Sequence, residues 1–142
     1  MMHNSRTRFA VYEVLTDFTA HGRPISECRR GDLLVIDRAA WPKEGQLVFV
    51  GRSKSPTDGR LAVFGIAPFT SRPTLFPLDG ERRFPEFAGM AFEPAAIHGP
   101  VCRHIRGRRR GRAGRAVFPR AGARLEFVGF TWNPDCPEPW AA

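Results

Sequence analysis

Lysine is scarce in a chain that is otherwise strongly basic: of 22 basic residues only Lys43 and Lys54 are lysines, and the rest are arginines. Cysteine is also rare. Cys28, Cys102 and Cys136 are odd in number and widely spaced, which excludes the dense disulfide framework of a small secreted domain. Nowhere do eighteen consecutive apolar residues occur, so no stretch qualifies as a spanning helix. The basic start at Met1–Arg8 leads into only a short apolar run and lacks the core of a secretory signal. The expectation is a protein of the cytoplasm with no membrane partner.

Proline, glycine and phenylalanine are plentiful instead, at 13, 14 and 12 residues in a chain of 142. That mixture suits strands and turns better than a helical bundle, and the length suits one domain with a real core. The formal charge is +8, unevenly distributed. Residues 1–99 carry 13 Lys+Arg against 11 Asp+Glu, a net of +2, whereas residues 100–142 carry 9 against 3, a net of +6. A polyanionic partner is the natural complement of such a balance.

The β-rich runs can be placed. Phe9–Leu15 is a first strand, and residues 17–30 read as an irregular loop with one helical turn. Arg30-Gly-Asp-Leu-Leu-Val-Ile-Asp-Arg38 and Gln46-Leu-Val-Phe-Val50 follow on either side of the Trp41–Gly45 turn, and are expected to lie side by side. Asp58-Gly59 is assigned the positive-φ position of a tight hairpin, with Arg60–Ile66 returning. Thr74–Phe76 and Arg83–Phe87 are short extended pieces, and Ala95–Arg106 is a strand kinked at Gly99-Pro100. Residues 107–115 form an arginine and glycine segment. Beyond it, 116–119 and 124–132 read as a C-terminal hairpin, with Leu125, Phe127 and Gly129 on one face and Glu126, Val128 and Phe130 on the other, followed by a proline and tryptophan tail.

The run through Gly31-Asp32 and Asp37-Arg38 resembles the core of the LexA/UmuD family of self-cleaving serine peptidases. So do the Asp58-Gly59 turn, the Leu75-x-Pro77 step with its later Phe84-Pro85, and the closing Ala96-Ile-His-Gly-Pro-Val-x-x-x-Ile-Arg106. The resemblance covers about Phe9 to Arg106. It implies a mainly β domain, a twisted and partly closed antiparallel sheet assembly, here with a C-terminal hairpin extension. It also implies pairing of copies through terminal strand edges, unless the appended hairpin covers that edge and leaves a monomer or a subunit of something larger.

In that family a serine attacks a peptide carbonyl while a lysine takes its proton. The hydroxyl needs a neutral amine within about 2.6–3.2 Å, and only burial keeps that amine neutral. Carried over, the serine position falls near Gly22 or Phe18, and the lysine position at Val63 or Phe64. None of these can do the chemistry. Ser26 stands in a foreign context, Ile25-Ser-Glu-Cys28, and Lys54 lies on the other side of the hairpin. The dyad is unmatched, and no catalytic residue is assigned.

The strongest remaining signal is Arg103-His-Ile-Arg-Gly-Arg-Arg-Arg-Gly-Arg-Ala-Gly-Arg115. Arg103, Arg106, Arg108, Arg109, Arg110, Arg112 and Arg115 make a glycine-diluted cationic ribbon suited to a phosphate backbone. Phe118, Phe127, Phe130, Trp132 and Trp140 are candidates for stacking on bases, or for a small core. His21, Cys28, Cys102 and His104 have zinc-type donors, but their spacing fits no finger, so neither metal nor cofactor is assigned. The expected function is non-catalytic binding of DNA or RNA, as an accessory subunit of a nucleoprotein complex or a regulator from a phage or mobile element. The alternatives are a peptidase acting through Ser26 and a protein decoy that blocks a LexA/UmuD-type partner.

Overall fold

The structure is a computed structural model, and it describes residues 5–19, 27–51, 53, 55–66, 73–76, 78, 97–107 and 124–135. These residues are mainly β, as composition predicts. Among them the only helical element is a 3-10 turn at Ser5–Thr7, and none is a helix long and apolar enough to cross a membrane.

Nine strands occur: β1 (Phe9–Val14), β2 (Phe18–Thr19), β3 (Glu27–Cys28), β4 (Leu33–Asp37), β5 (Leu47–Val50), β6 (Arg60–Ile66), β7 (Pro73–Phe76), β8 (Ile97–Ile105) and β9 (Leu125–Thr131). Seven form one antiparallel sheet in the order β7-β6-β5-β8-β4-β1-β9, and β2 and β3 pair separately. The expected irregular loop at 17–30 thus contains a two-strand ladder, Phe18 opposite Cys28 and Thr19 opposite Glu27. Phe18 and Cys28 both join the core, and that burial gives the short ladder its reason to form.

The two runs that open the sequence pattern, β4 and β5, do not lie side by side. The nine-residue β8 is inserted between them, pairing with β5 through its first half and with β4 through its second. Both pairings are interrupted by a register shift, one at Phe49/Val50 and one at Val35/Ile36. The first leaves His98 as an extra residue on β8, the second Cys102. Bulges increase local twist, which lets one strand serve two half-sheets around the Gly99-Pro100 bend.

Two apolar clusters result. Tyr12, Val14, Leu34, Ile36, Phe49 and Val101 belong to the larger; Val48, Val50, Phe64, Leu75 and Ile97 form most of the smaller. β5 is buried along its whole length and contributes alternate residues to each, which explains its unbroken Leu-Val-Phe-Val sequence.

The β5–β6 connection departs from a tight hairpin. Gly59 is not among the positive-φ glycines; a Cβ there would lie 2.4 Å from the Phe49 ring and 2.5 Å from the Val50 carbonyl oxygen. Close packing, not turn chirality, requires glycine at that position. The loop is organised by side chains instead: Asp58 Oδ2 accepts from the N–H and the hydroxyl of Ser53, both at 2.9 Å, and the Tyr12 hydroxyl donates to the Pro56 carbonyl at 2.6 Å.

β9 completes the sheet along β1. Its pairing shifts register between Val11 and Tyr12, leaving Val128 as the extra residue. The strict alternation expected for this strand is therefore broken. Leu125, Phe127 and Phe130 pack on the large cluster, with the rings of Phe127 and Phe130 5.1 Å apart. Residues 83–87, 116–119 and the tail beyond Asp135 lie outside the described residues.

Candidate nucleic-acid interface at one end of the sheet

Antiparallel pairing decides which strand ends meet. β1 runs antiparallel to β4 and β9, and β4 antiparallel to β8. The end of β1, the start of β4, the end of β8 and the start of β9 therefore share one end of the sheet. Backbone hydrogen bonds join them: Val14 N to Asp32 O and Gly31 N to Val14 O, both 2.8 Å, and Leu15 N to Arg124 O, also 2.8 Å. Arg124 N donates to the buried Thr16 hydroxyl at 3.1 Å.

Asp32 is the organising side chain. Its Oδ2 accepts from Arg29 N at 2.9 Å and pairs with His104 Nε2 at 2.7 Å; its Oδ1 accepts from Gly107 N at 2.9 Å. Burial acts to raise the carboxyl pKa. The N–H groups of Arg29 and Gly107, with His104, outweigh it and hold the value below the ordinary carboxylate range. The approach of β8 to the β4 turn is so close that a Cβ on Gly107 would stand 1.9 Å from the Gly31 carbonyl oxygen.

Arg29, Arg30, Arg106 and Arg124 are all exposed at this end. Carboxylates accompany them: Glu27 pairs with the Arg29 guanidinium at 2.9 Å, Asp17 accepts the Arg30 backbone N–H at 2.8 Å, and Glu13 and Glu126 stand opposite each other on β1 and β9 one residue from this end. Between Gly107 and Arg124 the sequence holds sixteen residues with six arginines and no acidic residue. Its two described neighbours, separated by β4 and β1, stand three strand spacings apart, roughly 14 Å at ~4.8 Å per strand.

Of the arginines assigned from the sequence, Arg106 stands at this end. Arg103 projects elsewhere: its Nε is 2.6 Å from Asp135 Oδ1, tying β8 to the turn after β9. Arg108, Arg109, Arg110, Arg112 and Arg115 lie outside the described residues. Arg29, Arg30 and Arg124 were missed by sequence reasoning, because they belong to other segments of the chain and only the topology gathers them.

Among the aromatics, Phe127 and Phe130 are half-buried against the large cluster, whereas Trp132 is 70% exposed; Phe118 and Trp140 lie outside the described residues. Of the positions to which the resemblance carried the serine and the lysine, Phe18 and Val63 both pack on the large cluster, and Phe64 is buried in the small one, its ring nearly perpendicular to that of Trp41. Gly22, Ser26 and Lys54 lie outside the described residues.

The zinc-type set is divided. Cys28 and His104 come together beside Asp32, with one donor atom of each within 4.8 Å of the others. Cys102, the bulge residue, instead stands within electrostatic reach of Asp37, Arg103 and Arg8. His21 is outside the described residues. Burial, reinforced by Asp32, pushes the Cys28 thiol up to about 12, which makes it a poor nucleophile near neutral pH.

Compared with known proteins, the chain matches no family model, no curated protein and no solved structure.

Proposed function

We propose that the chain is a non-catalytic nucleic-acid-binding protein that grips a phosphate backbone with the arginine-rich end of its sheet. The carrying observation is topological. Gly107 and Arg124, the described residues on either side of the arginine run, both stand at the end where Arg29, Arg30 and Arg106 are exposed. Arginines from separate parts of the sequence thereby share one end of the sheet. Guanidinium groups suit such a surface, because each offers a planar fork of donors to phosphate oxygens.

The scaffold is proposed to be of LexA/UmuD type with its chemistry lost. The order of the quoted motifs supports this, as does the apolar packing of Phe18, Val63 and Phe64, where nucleophile and base would be needed. A role as accessory subunit of a nucleoprotein complex, or as a regulator from a mobile element, fits a binding module without a reaction of its own.

The test is a gel shift with single-stranded and duplex DNA and RNA at two salt concentrations. Binding should weaken steeply with salt and be lost when Arg108–Arg110 are changed to alanine. Between 50 and 200 mM salt, six or more neutralised phosphates imply a loss of about a thousandfold. Binding that ignores salt, or that survives the triple change undiminished, would sink the proposal. A time-dependent mass change abolished by Ser26→Ala would instead favour self-processing, and nuclease-resistant co-purification with a LexA/UmuD-type protein would favour the decoy.

A further inference from the structure

We infer that Cys28, Asp32 and His104 form a binding site for a single zinc-type transition-metal ion. Three separate elements deliver the donors: β3 carries Cys28, the turn into β4 carries Asp32, and β8 carries His104. A sulfur, a carboxylate oxygen and an imidazole nitrogen lie within 4.8 Å of one another. Cys28 has no exposed surface, and the Asp32 and His104 side chains are 6% and 11% exposed.

Each residue taken alone has an ordinary explanation. A buried cysteine is a small hydrophobe and needs no polar neighbour. The carboxylate serves the backbone N–H groups of Arg29 and Gly107, and pairing with one imidazole needs no thiol. Their conjunction is what the ordinary roles leave unexplained: three kinds of metal donor lie within 4.8 Å of one another beside the apolar cluster that Cys28 joins.

The donor chemistry selects the ion. Thiolate and imidazole exclude magnesium and calcium, which take oxygen ligands, and mixed S, N and O donors suit zinc. The charges also balance. On binding, the Cys28 thiol releases its proton to solvent, and the imidazole proton moves to the nitrogen facing away from the ion. Thiolate and carboxylate then neutralise a divalent cation, so no net charge is buried. Bond lengths of about 2.0–2.3 Å set tetrahedral donors roughly 3.3–3.6 Å apart, so Asp32 Oδ2 and His104 Nε2 part from their 2.7 Å contact while the Cys28 sulfur draws in from a distance of no more than 4.8 Å. The His104–Asp32 hydrogen bond gives way to two metal bonds, while Oδ1 keeps the Gly107 N–H. Three protein donors leave one coordination position open. The inference does not depend on nucleic-acid binding.

The test is titration of chelator-treated protein with Co2+, followed by displacement with Zn2+. One ion per chain should bind, giving a thiolate-to-cobalt charge-transfer band and the visible bands of a four-coordinate site. Cys28→Ser should abolish the charge-transfer band, and His104→Gln should weaken Zn2+ binding by about 100-fold or more. Cys102→Ser should leave both unchanged. If either ligand variant fails to fold, X-ray absorption at the zinc edge serves in the wild-type chain: the bound ion should show one sulfur neighbour together with imidazole nitrogen and oxygen. Absence of the band at millimolar Co2+, Zn2+ binding that ignores Cys28 and His104, or a zinc shell without sulfur would overturn the site.

Discussion

The backbone N–H of Gly107 donates to Oδ1 of Asp32 at 2.9 Å, joining residues 75 positions apart. Gly107 is the last described residue before Arg108, and Asp32 immediately precedes β4. One buried carboxylate therefore anchors the residue that precedes Arg108. At the other end of the same strand Asp37 plays a matching part, accepting both arms of Arg8 at 3.1 and 3.2 Å.

Asp32→Asn should cost about 2–3 kcal/mol at neutral pH, because it removes the charge from hydrogen bonds to a buried carboxylate. The folded-state pKa of Asp32 is depressed, so its contribution is complete above the unfolded value of about 3.9 and is lost as pH falls through the folded value. Urea unfolding of both proteins at neutral and acidic pH checks this. Their stabilities should differ near pH 7 and converge towards pH 2.

Gly107→Ala should destabilise by about 1–3 kcal/mol, since the new methyl group cannot share space with the Gly31 carbonyl unless β8 moves away. The same shift should lengthen the bond to Asp32. Faster hydrogen exchange at the Gly31–Asp32 turn, measured by mass spectrometry, would report that movement, and unchanged exchange would contradict the packing described.

Tyr12 is the only tyrosine in the chain, so its titration can be read without interference. It lies between the rings of Phe49 and Phe127, and burial raises its pKa well above the usual value. The phenol should stay protonated past pH 10 and ionise only as the protein unfolds. A raised folded pKa means that this contribution to stability holds below about pH 10 and is lost above it. Ultraviolet tyrosinate absorbance and circular dichroism should therefore change together. Tyr12→Phe removes the bond to Pro56 and should cost about 1 kcal/mol.

Replacing Arg29, Arg30 and Arg106 together by alanine should weaken nucleic-acid binding and flatten its salt dependence, by roughly 0.9 in slope for each duplex-DNA phosphate that is no longer neutralised. Arg60→Ala, at the far end of the sheet, should leave both unchanged. Equal effects from the two variants would mean that charge acts as a diffuse total rather than through one surface.

Strands built from continuous or alternating apolar runs were readable in advance: β1, β4, β5, β6, β7 and β8 fall where Phe9–Leu15, residues 32–37, 46–51, Arg60–Ile66, Thr74–Phe76 and Ala95–Arg106 place them. The two-residue strands β2 and β3 were not, because a ladder so short has no period and is formed by the burial of Phe18 and Cys28. Nor were the bulges at His98, Cys102 and Val128, since an extra residue follows from pairing with a particular partner. Those bulges reassigned side chains: Phe130 turned to the core, and Cys102 parted from His104.

The residues of this chain by themselves determined its β character, the scarcity of lysine, and the massing of arginine after Gly107, because these rest on local propensity and composition. Only the tertiary structure decided that β8 runs between β4 and β5, and that Arg29, Arg30, Arg106 and Arg124 share an end with Asp32 at its centre. Strand order depends on how segments distant in sequence meet. Each such meeting is selected by how well two surfaces pack, and that property belongs to neither segment alone.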